Sequence, residues 1–122
     1  MKVLIVDDEP LVRKSLGRAF RAKNHDVVEA VDGQDGLTKW LEANPDLVML
    51  DVLMPGLSGP ELLKEVQPKI AHVKPKAKVI LMSAYSGEHS NMTAQQMGAD
   101  LFIPKPFDDV FKVVADAEAM LT

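Results

Sequence analysis

The residues of chemical interest each follow a short apolar run. Asp7, Asp8 and Glu9 come directly after Val3–Val6, and Asp51 follows Leu47–Leu50. Ser83 follows Val79–Met82, and Lys105 follows Leu101–Ile103 with only Pro104 between. If those runs are parallel strands, their carboxyl ends share one edge of the sheet, where ligands bind. Carboxylates, a hydroxyl and an ammonium then meet in one crevice. Two unit charges 4 Å apart repel by about 4 kcal/mol at an effective dielectric of 20, so such carboxylates need a cation or a proton. Magnesium fits best: it takes one or two carboxylates, keeps several waters and accepts phosphate oxygens. The set is too sparse for a calcium cage. Asp51 beside that metal can attack phosphorus as a nucleophile, with Lys105 neutralising the phosphoryl oxygens and Ser83 donating to them. An ionised carboxylate has no proton to lose, which fits a constellation without histidine. His25 and His72 sit away from the strand ends, and His89 reads as a surface residue at a helix start. Singly, each residue has a plainer role: Asp7-Asp8 as helix caps, Asp51 as a turn residue, Ser83 as a loop hydroxyl, Lys105 as a surface lysine. Together at one edge they read as a site.

The elements that must position them are legible. Five runs, Val3–Val6, Val27–Val31, Leu47–Leu50, Val79–Met82 and Leu101–Ile103, lack polar alternation, as expected of strands covered on both faces. Between and after them lie five segments of helical period. Leu11, Val12, Leu16, Ala19 and Phe20 form the first stripe, with Pro10 in its first turn. Leu37, Trp40 and Leu41 form the second, stopped by Asn44-Pro45. A third begins near Pro60 with Leu62, Leu63 and Val66. Pro68 should end or kink it, leaving an irregular Gln67–Lys78 connection. The fourth covers roughly Glu88–Met97 and is closed by Gly98. The fifth starts at Asp108-Asp109 and carries Val110, Phe111, Val114, Ala117 and Leu121. The alternation implies a parallel, doubly wound α/β sheet. The second run ends in nothing comparable, as suits an edge strand. Gly17, inside the first helix, has no explanation in the sequence.

Composition narrows the function. The 122 residues suit one domain, and 47% hydrophobic content is enough to cover both sheet faces. No apolar run approaches the roughly 20 residues of a membrane span, and no leader precedes the first strand, so a cytoplasmic protein is expected. Without cysteine there is no disulfide, thiolate or zinc-finger chemistry. The net charge of −4 argues against direct nucleic-acid binding; Lys69, Lys74, Lys76 and Lys78 read as a solvated loop.

In this order, these residues resemble the receiver domains of bacterial two-component response regulators, of the chemotaxis-regulator type. The resemblance covers the whole chain, 1–122. It rests on Val3-Leu4-Ile5-Val6-Asp7-Asp8-Glu9-Pro10, Asp46–Asp51, Met54-Pro55-Gly56, Ser58-Gly59, Ser83-Ala84, Gly98-Ala99-Asp100 and Lys105-Pro106-Phe107. It implies a flavodoxin-like five-stranded sheet of order 2-1-3-4-5 with five helices. By the same resemblance Asp51 is the phosphoacceptor, Asp8 a direct ligand of Mg2+ or Mn2+, and Asp7 a ligand largely through water. Leu53 would lend its backbone carbonyl to the metal, and the Lys105–Pro106 bond would be cis. Ser83 and Phe102 would be the switch pair, coupling phosphorylation to the surface of helix 4, strand 5 and helix 5. Ser83 stands for the commoner Thr and keeps its hydroxyl, whereas Phe102 stands for the commoner Tyr and loses one. The implied partners are a histidine kinase or phosphotransfer protein upstream and a downstream protein or output domain. Receivers often dimerise through their last two helices, so a phosphorylation-dependent dimer is among the expected states. Glu88–Met97 and Asp108–Leu121 show no decisive patch for it. Leu53 and Tyr85 would tune the access of water to the phosphoryl group.

Three other classes fit less well. An aspartyl-phosphate hydrolase of the haloacid-dehalogenase type would carry an acid two residues after its nucleophile, where this chain has Leu53. A flavin or nucleotide carrier needs a glycine- or hydroxyl-rich loop after the first strand, where this chain has Asp7-Asp8-Glu9-Pro10. A pseudo-receiver serving only protein interaction would have no need of the acceptor parts, all of which are present. The expected activity is therefore that of a switch catalysing only its own phosphorylation and dephosphorylation.

Overall fold

The computed structural model describes residues 1–73, 76–84 and 91–121, with only the backbone at 91–93. Tyr85, His89, Lys74 and the expected start of the fourth helix at Glu88 lie outside the described residues. Five strands, β1 (Lys2–Val6), β2 (Asp26–Ala30), β3 (Leu47–Asp51), β4 (Lys78–Ser83) and β5 (Leu101–Pro104), alternate with α1 (Pro10–Ala22), α2 (Gly33–Ala43), α3 (Gly59–Ile70), α4 (Asn91–Gln96) and α5 (Val110–Ala119). All pairings are parallel and the order is β2-β1-β3-β4-β5.

Successive strand residues face opposite sides of the sheet. Leu4, Val6, Val48, Leu50 and Leu81 join Trp40 of α2 and Leu62, Leu63 and Val66 of α3 in one core. Val3, Ile5, Met49, Ile80 and Met82 join Leu16 and Phe20 of α1 and Val113 and Val114 of α5 in the other. Buried on both faces, the central strands read as continuous apolar runs, while β2 at the edge is only half-buried. Helix starts follow local chemistry. Ser58 and Glu61 form a reciprocal capping box before α3, Asp32 caps α2, and Asp109 accepts from Phe111 and Lys112 before α5. Gly98, at φ +94°, ends α4 in a conformation that glycine adopts freely.

Several expectations are corrected. Pro68 does not end α3, which runs through it to Ile70. The proline removes one donor in the last turn, and the carbonyl it would have served, that of exposed Lys64, can be solvated. The connection to β4 is therefore 71–77 rather than 67–78. Leu11 and Leu41, read as core, are 87% and 44% exposed. Each sits one residue off its helix's buried stripe. Val31 lies beyond β2 and is exposed. Among the described residues no helix is long and apolar enough to cross a membrane.

Candidate functional site

The sheet delivers its polar residues to one edge. Asp51 and Ser83 are the last residues of β3 and β4, and Asp7 and Lys105 are the first beyond β1 and β5. Backbone bonds carry the ladders past the strand ends: Asp7 N–H donates to Ala30 (3.2 Å), Val52 N–H to Met82 (2.8 Å) and Lys105 N–H to Ser83 (2.8 Å). All four side chains are buried. Lys105 Nζ donates to Asp7 Oδ2 and Glu9 Oε1, each at 2.9 Å, and lies 3.5 Å from Asp51 Oδ1. Asp7, Asp8, Glu9 and Asp51 can each present an oxygen within 4.8 Å of the others. Asp7 Oδ1 accepts from Glu9 N–H at 2.9 Å, while the α1 N-cap, Glu9, makes no side-chain cap bond. The acidic pair is thus part of the crevice, and the helix is started by Pro10 instead.

Gly59 brings α3 under this edge. Its N–H donates to Val52 O at 3.0 Å, and a Cβ there would collide with the Asp51 carbonyl. The Lys105–Pro106 bond is cis. Phe102 in β5 is half-buried against the cluster containing Leu81 and Ala94. Leu53 stands at the rim, 64% exposed.

Residues 3–114 match the response regulator receiver domain family. The chain belongs to that family. A curated relative, the transcriptional regulatory protein ResD of Bacillus subtilis, is 36% identical over 121 residues. The alignment covers 98% of this chain but 48% of ResD, so the chain spans about half the length of that relative. Among solved structures, TrrA of Thermotoga maritima, in complex with Mg2+ and BeF, is 34% identical with a TM-score of 0.80, covering 99% of this chain and 98% of that one. CheY of Borrelia burgdorferi, from a CheX–CheY–BeF3–Mg2+ complex, is 30% identical with a TM-score of 0.85, covering 100% and 90% respectively. The doubly wound fold is therefore the receiver fold.

The receiver's crevice is electrostatically strained without a cation. Burial, and then the charge of Asp7, pushes the Asp51 carboxyl up from 3.8 to about 7, against the pull of Lys105. Burial likewise raises Asp7, partly offset by Glu9 N–H and Lys105. Burial alone would lower the Lys105 ammonium, but its bonds to Glu9 and Asp7 outweigh that and raise it. Asp51 held partly protonated at neutral pH would be a poor nucleophile. A divalent cation at these oxygens would keep it ionised, and the hard carboxylate donors suit magnesium. The crevice fits the metal.

Sequence reasoning gave Glu9 no role, yet it supplies a second carboxylate to Lys105 and a fourth member of the acidic group. Its adjacency to Asp7-Asp8 was the available signal.

Proposed function

We propose that this receiver is a phosphorylation-controlled switch of a two-component relay, taking a phosphoryl group on Asp51 in a magnesium-dependent reaction. The observation that carries this reading is the convergence of Lys105 Nζ, 3.5 Å from Asp51 Oδ1, with four carboxylates close enough to share one cation. The Mg2+ and fluoroberyllate complexes of TrrA and CheY support it by kinship. A carboxylate oxygen of Asp51 attacks phosphorus and forms a P–O bond. The P–N bond of a phosphohistidine breaks, and its electron pair stays on the imidazole nitrogen. Asp7, Asp8, Asp51 and the Leu53 carbonyl are the proposed holders of Mg2+ or Mn2+, which supplies neutralising charge to the phosphoryl oxygens. Lys105 supplies a second positive charge, and Ser83 donates a hydrogen bond to the phosphoryl group. Residues 1–122 form one response-regulatory domain, and its catalysis is confined to its own phosphorylation and dephosphorylation.

The donor is a histidine kinase or phosphotransfer protein. A groove of about 370 Å³, lined by Leu11, Ser15, Pro106, Phe107 and Val110 and reaching Glu9 and Lys105, gives it access at the site's margin. In place of the single charge of the Asp51 carboxylate, the phosphoryl group carries about −1.5 to −2 charge. Ser83 would turn toward it and Phe102 would fill the vacated space, altering the α4–β5–α5 surface. A downstream protein or output domain, or a second copy of the chain, reads that change in the cytoplasm by protein contact.

Fluoroberyllate, a phosphoryl mimic, tests this reading. At 100 times its dissociation constant a ligand of the folded state stabilises by about 2.7 kcal/mol. Beyond the rise that Mg2+ gives alone, the melting temperature should rise further only when beryllium, fluoride and Mg2+ are all present, and Asp51→Asn should show no such further rise. An equal further rise in both proteins would refute Asp51 as the acceptor.

A further inference from the structure

Arg13 is a buried cation with no part in the chemistry above. It is 8% exposed, on the inner face of α1. A buried guanidinium is tolerated only with partners, and Arg13 has two in direct contact among the described residues. Its Nη1 donates to the backbone carbonyl of Asp7 at 2.8 Å, and its Nε lies 3.3 Å from Glu29 Oε1 on β2. Glu29 is held in turn by Lys14 Nζ at 3.2 Å and Arg21 Nη2 at 3.3 Å. Burial opposes its ionisation, but the charges of Lys14 and Arg21 and the bond from Arg21 keep its carboxyl below the usual value. Its Oε1 receives no well-aligned hydrogen bond, so the contacts there are mainly coulombic. A Cβ at Gly17 would stand 3.2 Å from Arg21 Nη1 and 3.3 Å from Glu29 Oε2, so these side-chain ends would have to give by a few tenths of an ångström.

Asp7 is therefore fixed at four points. Its N–H is held by Ala30, its carbonyl by Arg13, and its two carboxylate oxygens by Glu9 N–H and Lys105. Among the described residues, only the carbonyl bond ties it to a side chain outside the acidic crevice. When a cation arrives and Lys105 turns to phosphoryl oxygens, the backbone anchors remain.

We infer that Arg13 is a positioning residue for the cation site: braced on Glu29 of the edge strand, it locks the Asp7 backbone so that the Asp7 carboxylate stays turned toward Asp8 and Asp51. This rests on the crevice being the metal site proposed above. Outer partners of metal ligands commonly account for 10- to 100-fold in affinity. The sign discriminates, because removing a nearby positive charge should by itself tighten cation binding, whereas losing the brace should weaken it.

The test is calorimetric titration of the whole chain with Mg2+ at pH 8, alongside melting curves in EDTA. Arg13→Met should bind Mg2+ about tenfold more weakly, equal to about 1.4 kcal/mol. Glu29→Gln should show a smaller loss in the same direction. Arg13→Lys should lie between wild type and Arg13→Met, since one ammonium cannot span both partners. A folded Arg13→Met that melts earlier yet binds Mg2+ as tightly as wild type, or tighter, would overturn the inference and leave Arg13 purely structural. If Arg13→Met does not fold, Arg13→Lys, which keeps the charge, decides, and unchanged affinity there overturns it equally. Wild type binding no Mg2+ would instead sink the functional reading itself. Wild-type binding weakened by Asp51→Asn but not by Arg13→Met would sink the brace alone.

Discussion

Replacing Lys105 by methionine should cost about 3–5 kcal/mol of stability at pH 8 in EDTA, the usual consequence of leaving buried charge without its partner. Lys105 is buried between Asp7 and Asp51, and exposed Glu9 is the contact that solvent can best replace. The penalty should depend on pH in a definite direction. Without the ammonium, both aspartates have folded pKa values further above their unfolded values near 4. The folded state then binds more protons than the unfolded one, so stability falls as pH rises through that interval. The deficit against wild type should be largest at pH 8 and shrink toward pH 4, as measured by denaturant titration. Lysine's own contribution does not blur this: its raised pKa keeps it charged until well above pH 10, its ordinary value being 10.5. Added Mg2+ should recover part of the loss. A deficit that grows toward acid pH would show that the aspartates do not depend on Lys105.

Asp51→Asn should do the reverse and stabilise the metal-free protein. Asp51 is an acid whose folded pKa, about 7, lies above its unfolded value of 3.8. It therefore destabilises the fold increasingly from about pH 4 to pH 7, and fully above that. The gap corresponds to a ceiling on the order of 4 kcal/mol. A net gain of about 1–3 kcal/mol at pH 8 is expected, below that ceiling because an amide does not reproduce every contact of the protonated acid. Near pH 4, where Asp51 is protonated and close to isosteric with Asn, the two melting temperatures should converge. By pH 8 they should differ by several degrees. Mg2+ should narrow the difference, since wild type gains more from it. An Asp51→Asn protein less stable than wild type at pH 8 in EDTA would contradict the electrostatic picture of the crevice.

These effects trace to features that were legible to different degrees. The strand ends were readable because a parallel sheet sends all carboxyl termini to one edge, so Asp7, Asp51, Ser83 and Lys105 converge by topology alone. Leu11 and Leu41 were misread because periodicity identifies a stripe but not how far its cover extends. Pro68 was misread because a lost donor matters only where its acceptor is buried, and the Lys64 carbonyl lies on an exposed turn. Arg13 carried a usable signal. Arg13, Leu16, Gly17 and Phe20 fall at i, i+3, i+4 and i+7, placing a charge on the buried stripe. Its partner Glu29 interrupts the apolar run Val27–Val31. Each alone reads as a solvated charge, and only the packing of α1 against β2 shows that they meet.

The most direct measurement is the intact mass of wild type and Asp51→Asn after incubation with acetyl phosphate, with and without Mg2+, followed by peptide mapping. Wild type should gain one acid-stable, hydroxylamine-labile phosphoryl group on Asp51, only with Mg2+ present, and Asp51→Asn should gain none. Equal labelling of the two proteins, or a folded, Mg2+-binding wild type that takes up no phosphoryl group, would mean that the buried aspartate is not an acceptor.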